Sequence, residues 1–460
     1  MYRSSIALVF AFTLLATACE ESSGGGSEPV ISEEAQALRH DMFGARIPPV
    51  RVDPPAVSDE LFELGQALFF DKILSGSEDV SCATCHLPQF ATGDGRTLSD
   101  GVHGMGLGPD RGEGVIIPRN SPPLIALHLR TELFWDGRVR RLGGFVVPPP
   151  AVQLSAEMRA AFTPRLEVMA AQAMLPPVSR EEMRGMEGDN DLGDLGDGYN
   201  SPSGQPESTS EVWEHLTNRL LNIPGYTDLF RAAYPDVALE DINFAHAGNA
   251  IAAFEAHAFA RTNSPFDRFM RGDDTALTDA EIRGGQEFLE AGCASCHKGP
   301  LLSDLLYHNT GLPQLGPGIN GSDTLPVLGG RPDFGRENTT RLPNDRYKFR
   351  TASLLNVGMT APYGHAGQFE QLRDFVAQYQ DVRLSNLNYD ILSNVSDPDL
   401  VTMLVPNSDE VLATLHPRLQ TPSNFDVDAI VEFLHALTAD DMDTLSDIVP
   451  ESVPSGLPIL

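Results

Sequence analysis

Two pentapeptides in this chain carry residues able to hold an iron porphyrin: Cys82-Ala83-Thr84-Cys85-His86 and Cys293-Ala294-Ser295-Cys296-His297. In C-x-x-C-H each thiol can bond one vinyl group of the same porphyrin, and the histidine directly after the second thiol reaches the iron as proximal ligand. The pattern predicts two covalently bound haem c groups, with His86 and His297 on the irons. A redox-active C-x-x-C or half of a four-cysteine zinc site requires no histidine at that position.

The two motifs use four of the five cysteines. The fifth, Cys19, follows Tyr2-Arg3, an apolar run from Ile6 to Leu15 and Ala16-Thr17-Ala18. Residues 1–18 therefore read as a secretory signal with a small-residue cleavage site, and export to the periplasm fits covalent haem. The Leu15-Ala16-Thr17-Ala18-Cys19 junction is similar to a bacterial lipoprotein signal. A lipid on Cys19, with residues 19–30 as a flexible tether, is the expectation, and simple cleavage after Ala18 the alternative. No later stretch approaches the ~20 apolar residues that a spanning helix needs.

The chain holds 64 acidic and 32 basic residues, a formal charge of −32. Such a surface argues against nucleic acid and would attract a basic protein, such as a small cationic cytochrome acting as electron donor. The plainer reading is that acidity keeps the protein dissolved.

Each motif must be positioned by helices. Ser58 to Phe70 reads as a helix capped by Ser58, and Thr278-Asp279-Ala280-Glu281 as a capping box opening a helix to about Glu290. Within them Gly65-Gln66-Ala67-Leu68-Phe69 parallels Gly285-Gln286-Glu287-Phe288-Leu289, a weak internal repeat. After each motif comes a long Gly- and Pro-rich stretch, then an amphipathic helix, Phe244 to Phe259 and Val427 to Leu437. The expected fold is mainly α, with two cytochrome c-like haem domains and long irregular loops. Their boundary falls near Arg261 to Pro265, giving units at 31–262 and 263–440 and a tail at 441–460. Residues 187–211, with seven acids and no Lys or Arg, read as a solvated loop. Asp189-Asn190-Asp191-Leu192-Gly193-Asp194 in that loop lacks the EF-hand spacing.

These stretches resemble the bacterial di-haem cytochrome c peroxidases, which include the MauG-type enzymes. The likeness lies in Ser81 to His86, Arg119-Asn120-Ser121-Pro122, Phe134-Trp135-Asp136-Gly137-Arg138, Gln172-Ala173 with Glu182-Met183, Pro224-Gly225-Tyr226 and Asn263-Ser264-Pro265-Phe266-Asp267. It continues through Cys293 to His297, Gly299-Pro300, and Phe349-Arg350-Thr351-Ala352-Ser353-Leu354 on to Pro362-Tyr363-Gly364-His365. The resemblance implies that the His86 haem meets hydrogen peroxide while the His297 haem takes in electrons from a small c-type cytochrome or cupredoxin. Peroxide cleavage needs an open iron position and a group that moves a proton between the two oxygens. By resemblance that group is Glu182, supported by Gln172, with Trp135 lying between the haems. Asn120 and the carbonyls of Thr360 and Pro362 match the family's calcium site. Arg350 is expected at a haem propionate, and a homodimer is a further expectation.

The chain also departs from the family. An insertion between Arg138 and Gln172 leaves Glu157-Met158 as an alternative to Glu182-Met183. His103, in Gly101-Val102-His103-Gly104, is the histidine available as sixth ligand of the first haem. At the second haem, Tyr379 stands where peroxidases of the family place a methionine and the MauG type a tyrosine, and Met359 and Met403 lie off that offset. A thioether raises the haem potential, whereas a phenolate-like ligand lowers it. A MauG-like enzyme oxidising a protein substrate is therefore one alternative. A di-haem electron carrier without peroxide chemistry is another, and it needs neither Glu182 nor Gln172.

Overall fold

The computed structural model describes residues 32–149, 152–195, 209–320 and 329–459. The signal, the tether and Cys19 lie outside the described residues, as does 196–208 of the acidic segment.

Ser58 Oγ accepts the Leu61 N–H at 3.2 Å and opens the helix Asp59–Phe70, which buries Leu61, Leu64, Leu68, Phe69 and Phe70. Its partner is the closing helix Phe244–Ala258, started by Asn243, whose Oδ1 accepts the Ala245 N–H at 3.0 Å. The two cross at a glycine, because a Cβ on Gly65 would meet the Ala250 carbonyl oxygen at 1.9 Å. Around the crossing Phe62, Phe69 and Phe70 place their rings 5.3, 5.1 and 5.9 Å from that of Phe254, tilted geometries that aromatic quadrupoles favour.

The second unit repeats this arrangement. Thr278 Oγ1 accepts the Glu281 N–H at 3.3 Å and Glu281 answers on the Thr278 N–H at 2.7 Å, opening the helix Asp279–Glu290. It packs on the closing helix Val427–His435, with Phe288 and Phe433 ring centres 5.2 Å apart. The glycine at this crossing is Gly284, which faces the Ala429 carbonyl, whereas Gly285 faces Leu38 and Met42. The repeat therefore pairs Gly65 with Gly284 and Phe69 with Phe288, one residue away from the sequence alignment on Gly285. Close helix approach needs the small residue, and a glutamine match nearby carries no such constraint.

Strands are short. Glu132–Leu133, Val139–Leu142 and Phe145–Val147 form an antiparallel sheet, so the insertion after Arg138 begins as a hairpin. Two antiparallel pairs, Tyr307–His308 with Phe349–Arg350 and Gln314–Leu315 with Leu404–Val405, tie the loops of the second unit. Among the described residues no helix is long and apolar enough to cross a membrane.

The chain ends cross between units. The helix Glu33–Gly44 buries Leu38 and Met42 against Gly285 of the second unit, and Val50 N–H donates to Asp267 Oδ1 at 2.9 Å. Conversely the tail lies on the first unit, where Gln66 Nε2 donates to the Ile448 carbonyl at 2.8 Å and Ser455 Oγ to Asp71 Oδ1 at 2.7 Å.

The described part of the acidic segment is both solvated and anchored. Residues 187–195 keep their acids exposed but are anchored to the fold: Leu192 is fully buried, and Arg184 Nε and Arg180 Nη1 donate to the carbonyls of Leu192 and Gly193 at 2.8 and 3.1 Å. The carboxylates are engaged locally, Asp189 with His103 and Asp191 with His215 and Arg219.

Candidate active site

Both motif histidines are half-buried and oriented alike. His86 Nδ1 lies 2.8 Å from the Thr92 carbonyl and His297 Nδ1 2.9 Å from the Leu302 carbonyl. A carbonyl accepts, so Nδ1 carries the proton and Nε2 is left to meet an iron. Burial lowers the His86 pKa to about 4, with the Thr92 bond opposing, and burial likewise lowers His297. The four motif cysteines form no disulfide. Burial raises the pKa of Cys82 and Cys293 to about 12 and raises that of Cys85 as well, whereas the His308 contact lowers that of Cys296.

Cys82, Cys85 and His86 line a cavity with an empty volume of about 1040 Å³, its open mouth included. Gln172, Glu182, Trp135, Arg138, Arg130 and Arg350 line the same space. The walls fit a haem on two counts. They include a broad apolar set of Val80, Pro122, Pro123, Leu124, Leu127 and Leu133. In addition, the buried Nε atoms of Arg130 and Arg350 lack hydrogen-bond partners, a cost that propionate carboxylates would remove.

Glu182 sits on the single π-turn Arg180–Arg184, a local widening that recurs at functional sites. Burial raises its pKa to about 7, with Arg138 opposing and Glu181 reinforcing. Gln172, at the end of the helix Glu167–Ala173, presents a buried Oε1 with no hydrogen-bond partner. Glu157 stands on the exposed face of the helix Ala156–Ala161, so of the two Glu-Met pairs the one that reaches the cavity is Glu182-Met183.

The units meet at Trp135. Its indole N–H donates to the Asn120 carbonyl at 2.9 Å, and its own carbonyl accepts the Arg350 N–H at 2.8 Å. Trp135, Arg130 and Arg350 also line a smaller cavity that reaches Thr360. Beside them Arg119 spans Asp136 of the first unit and Asp333 of the second, at 2.8 and 2.6 Å.

At the second motif, Tyr379 is half-buried against the core, and the Cys296 and Cys293 thiols add to the rise in its pKa that burial causes. Met359 is 40% exposed, and Met403 packs in a cluster with Leu98, Leu315 and Leu400 that includes no residue of this motif.

The structure does not bring His103 to the cavity. It lies at the surface with φ +67°, its Nε2 2.9 Å from Asp189 Oδ2. Nor does one cavity gather the three expected calcium ligands: Asn120 lines the larger, Thr360 the smaller, and Pro362 neither. The Asn120 amide instead donates to the carbonyls of Arg96 and Thr97 at 3.0 and 3.3 Å.

Sequence reasoning missed Glu255, Arg130 and the Arg119 ion triad. Glu255, on the first closing helix, lines the cavity with a buried, unpartnered Oε2, and burial alone raises its pKa to about 8. Its signal was an acid inside an otherwise apolar helix face.

The family model described as di-haem cytochrome c peroxidase matches residues 59–275. Cytochrome c551 peroxidase of Pseudomonas aeruginosa is 31% identical over 350 residues, which is 75% of this chain and 80% of that protein. The methylamine utilization protein MauG of Methylorubrum extorquens is 30% identical over 334 residues, 72% of this chain and 71% of that protein. Among solved structures, a MauG-like protein associated with microbial copper homeostasis aligns at TM-score 0.55 and 24% identity, covering 86% of this chain and 94% of that one. The di-haem peroxidase BthA of Burkholderia thailandensis aligns at TM-score 0.54 and 20% identity over 86% and 91% of the two chains. Both structures share the mainly α fold of two cytochrome c-like units. With relatives matched at this identity over most of both lengths, and with both attachment sites in place, the chain belongs to the bacterial di-haem cytochrome c peroxidase family, as an oxidoreductase carrying two covalently bound haem c groups.

Proposed function

We propose that this chain reduces hydrogen peroxide to water at the His86 side, with electrons entering at the His297 side from a small periplasmic carrier protein. The observation that carries the reading is Glu182: a carboxyl raised to about 7 by burial, sharing one cavity with His86 and Gln172. A haem held by Cys82, Cys85 and His86 would supply the iron that binds peroxide and delivers electrons to it. Glu182 takes the proton from the nearer peroxide oxygen and returns it to the farther one, which leaves as water. Gln172 turns its free amide oxygen on the same space and orients the incoming molecule. Two further protons and two electrons complete the conversion of one peroxide to two waters. Trp135 bridges the units on the electron path. The signal-like residues 1–18 support a periplasmic setting, and the charge of −32 favours a basic donor.

Stopped-flow mixing of the ferric and half-reduced protein with hydrogen peroxide tests this. A change in the haem spectrum in at least one state is expected; no change in either overturns it and leaves the electron-carrier reading.

The position of Tyr379 beside Cys293 and Cys296 favours a second reading, in which oxidising equivalents are spent on a protein substrate, as in a MauG-like enzyme. Electron paramagnetic resonance (EPR) of the resting protein decides between tyrosine and thioether ligation.

A further inference from the structure

We propose that Tyr307 is a redox-active side chain that accepts one oxidising equivalent from the haem pair and hands its phenolic proton to Glu132. The inference rests on the peroxidase reading and extends it to residues that reading leaves unused.

Three side chains converge beneath the turn that carries Trp135. Tyr307 Oη donates to Glu132 Oε2. The Arg336 guanidinium lies 3.9 Å from the Tyr307 ring centre and 3.3 Å from the same carboxylate oxygen. Glu132 belongs to the first unit, and Tyr307 and Arg336 to the second. The turn itself closes over the cluster, since a Cβ on Gly137 would lie 1.8 Å from Tyr307 Oη and 2.7 Å from Glu132 Oε2. Gly137 also adopts φ +64°, so glycine is needed there both for conformation and for room. Tyr307 stands opposite Arg350 in the antiparallel pair, and the Arg350 N–H donates to the Trp135 carbonyl at 2.8 Å. The phenol is thus one strand partner removed from the Trp135 backbone.

A phenol that loses an electron becomes a strong acid, and oxidation is easiest where a base already holds its hydrogen bond. Tyr307 has a carboxylate in hydrogen-bond contact, the geometry proton transfer needs; Tyr226 has the same kind of partner in Asp71 but is not tied to the Trp135 turn. In the step, one electron leaves the Tyr307 ring and fills one oxidising equivalent left by peroxide reduction. The Oη–H bond breaks and an O–H bond forms at Glu132 Oε2, leaving a neutral tyrosyl radical and a neutral acid. Arg336, losing its anionic partner, keeps its bonds to the carbonyls of Asp136 and Gly137 at 2.7 and 3.2 Å. An electron from the donor and the proton from Glu132 restore the phenol. The cluster gives an oxidising equivalent a resting place outside the haem pair while no reductant is docked.

Freeze-quench EPR of the di-haem protein mixed with hydrogen peroxide, without reductant, tests the proposal, with the haem absorption followed in parallel. The expected result is a tyrosyl signal that narrows when the protein carries ring-deuterated tyrosine and is lost in Tyr307→Phe. In Glu132→Gln the signal should form on the order of 10²-fold more slowly, the scale of a positioned proton acceptor. A tyrosyl signal undiminished in Tyr307→Phe overturns the proposal. So does the absence of any tyrosyl signal while the haem spectrum responds to peroxide, an outcome that leaves the peroxidase reading standing. No haem response overturns both.

Discussion

Gly65 and Gly284 occupy equivalent places in the two units, each facing the carbonyl oxygen of an alanine on the closing helix so closely that a Cβ would lie 1.9 or 2.0 Å from it. Alanine at either position must push two packed helices apart. We expect Gly65→Ala and Gly284→Ala each to cost about 3 kcal/mol, the upper end of ordinary overpacking, despite the gain of about 1 kcal/mol in helix propensity. Gly44→Ala, where nothing lies within 4 Å of the new methyl, is the control and should be neutral or mildly stabilising. Denaturant midpoints decide, and equal midpoints for all three would refute the crossing argument.

Glu182 makes the reaction pH-dependent. Its carboxyl, held up to about 7 by burial, is an acid below that pH and a base above it. A proton acceptor must be deprotonated, so the bimolecular rate with peroxide should rise through about pH 7 and level off beyond. Glu182→Gln should lower that rate by about 10²–10⁴-fold and remove this inflection. Stopped-flow rates from pH 5 to 9 supply the comparison.

Glu255 links pH to stability. Its pKa is about 8 in the folded chain against an ordinary 4.5, so between those values the folded state keeps a proton that the unfolded state has lost. Stability contributed by this group is full below about 4.5 and falls as pH rises toward 8. Glu255→Gln should flatten that fall, seen as a smaller difference between denaturation midpoints at pH 5 and pH 8. An unchanged difference would show that the carboxyl is charged at both.

Tyr379 governs the second haem if its oxygen reaches that iron. Tyr379→Phe should then alter the spectrum of that haem, and Tyr379→Met should raise its midpoint potential, since a thioether favours ferrous iron. Spectroelectrochemical titration reads both; identical curves for wild type and variants would remove Tyr379 from the coordination sphere.

What was legible in the chain was local. Ser58 and Thr278 mark helix starts because a cap is satisfied within three residues, and both were read from sequence alone. The attachment pentapeptides are local as well. Glu182 was reached through its offset from Gln172, while its burial, which sets its chemistry, depends on walls contributed from distant segments. Glu255 and Arg130 stayed hidden because an acid or a cation carries no mark of what the fold will place around it. The one-residue slip onto Gly285 had the same source: the crossing is fixed by Ala429, far along the chain. The acidic run gave no sign of its anchor, Leu192, which is buried in a stretch whose acids are exposed.

The exchanged chain ends bear on how the molecule is made. Asp71 receives Ser455 from 384 positions downstream, while the helix Glu33–Gly44 waits for Gly285. Each half depends on the other, so cutting the polypeptide at residue 262 would yield two fragments, each missing a fastener held by the other. Closure of such long loops is slow.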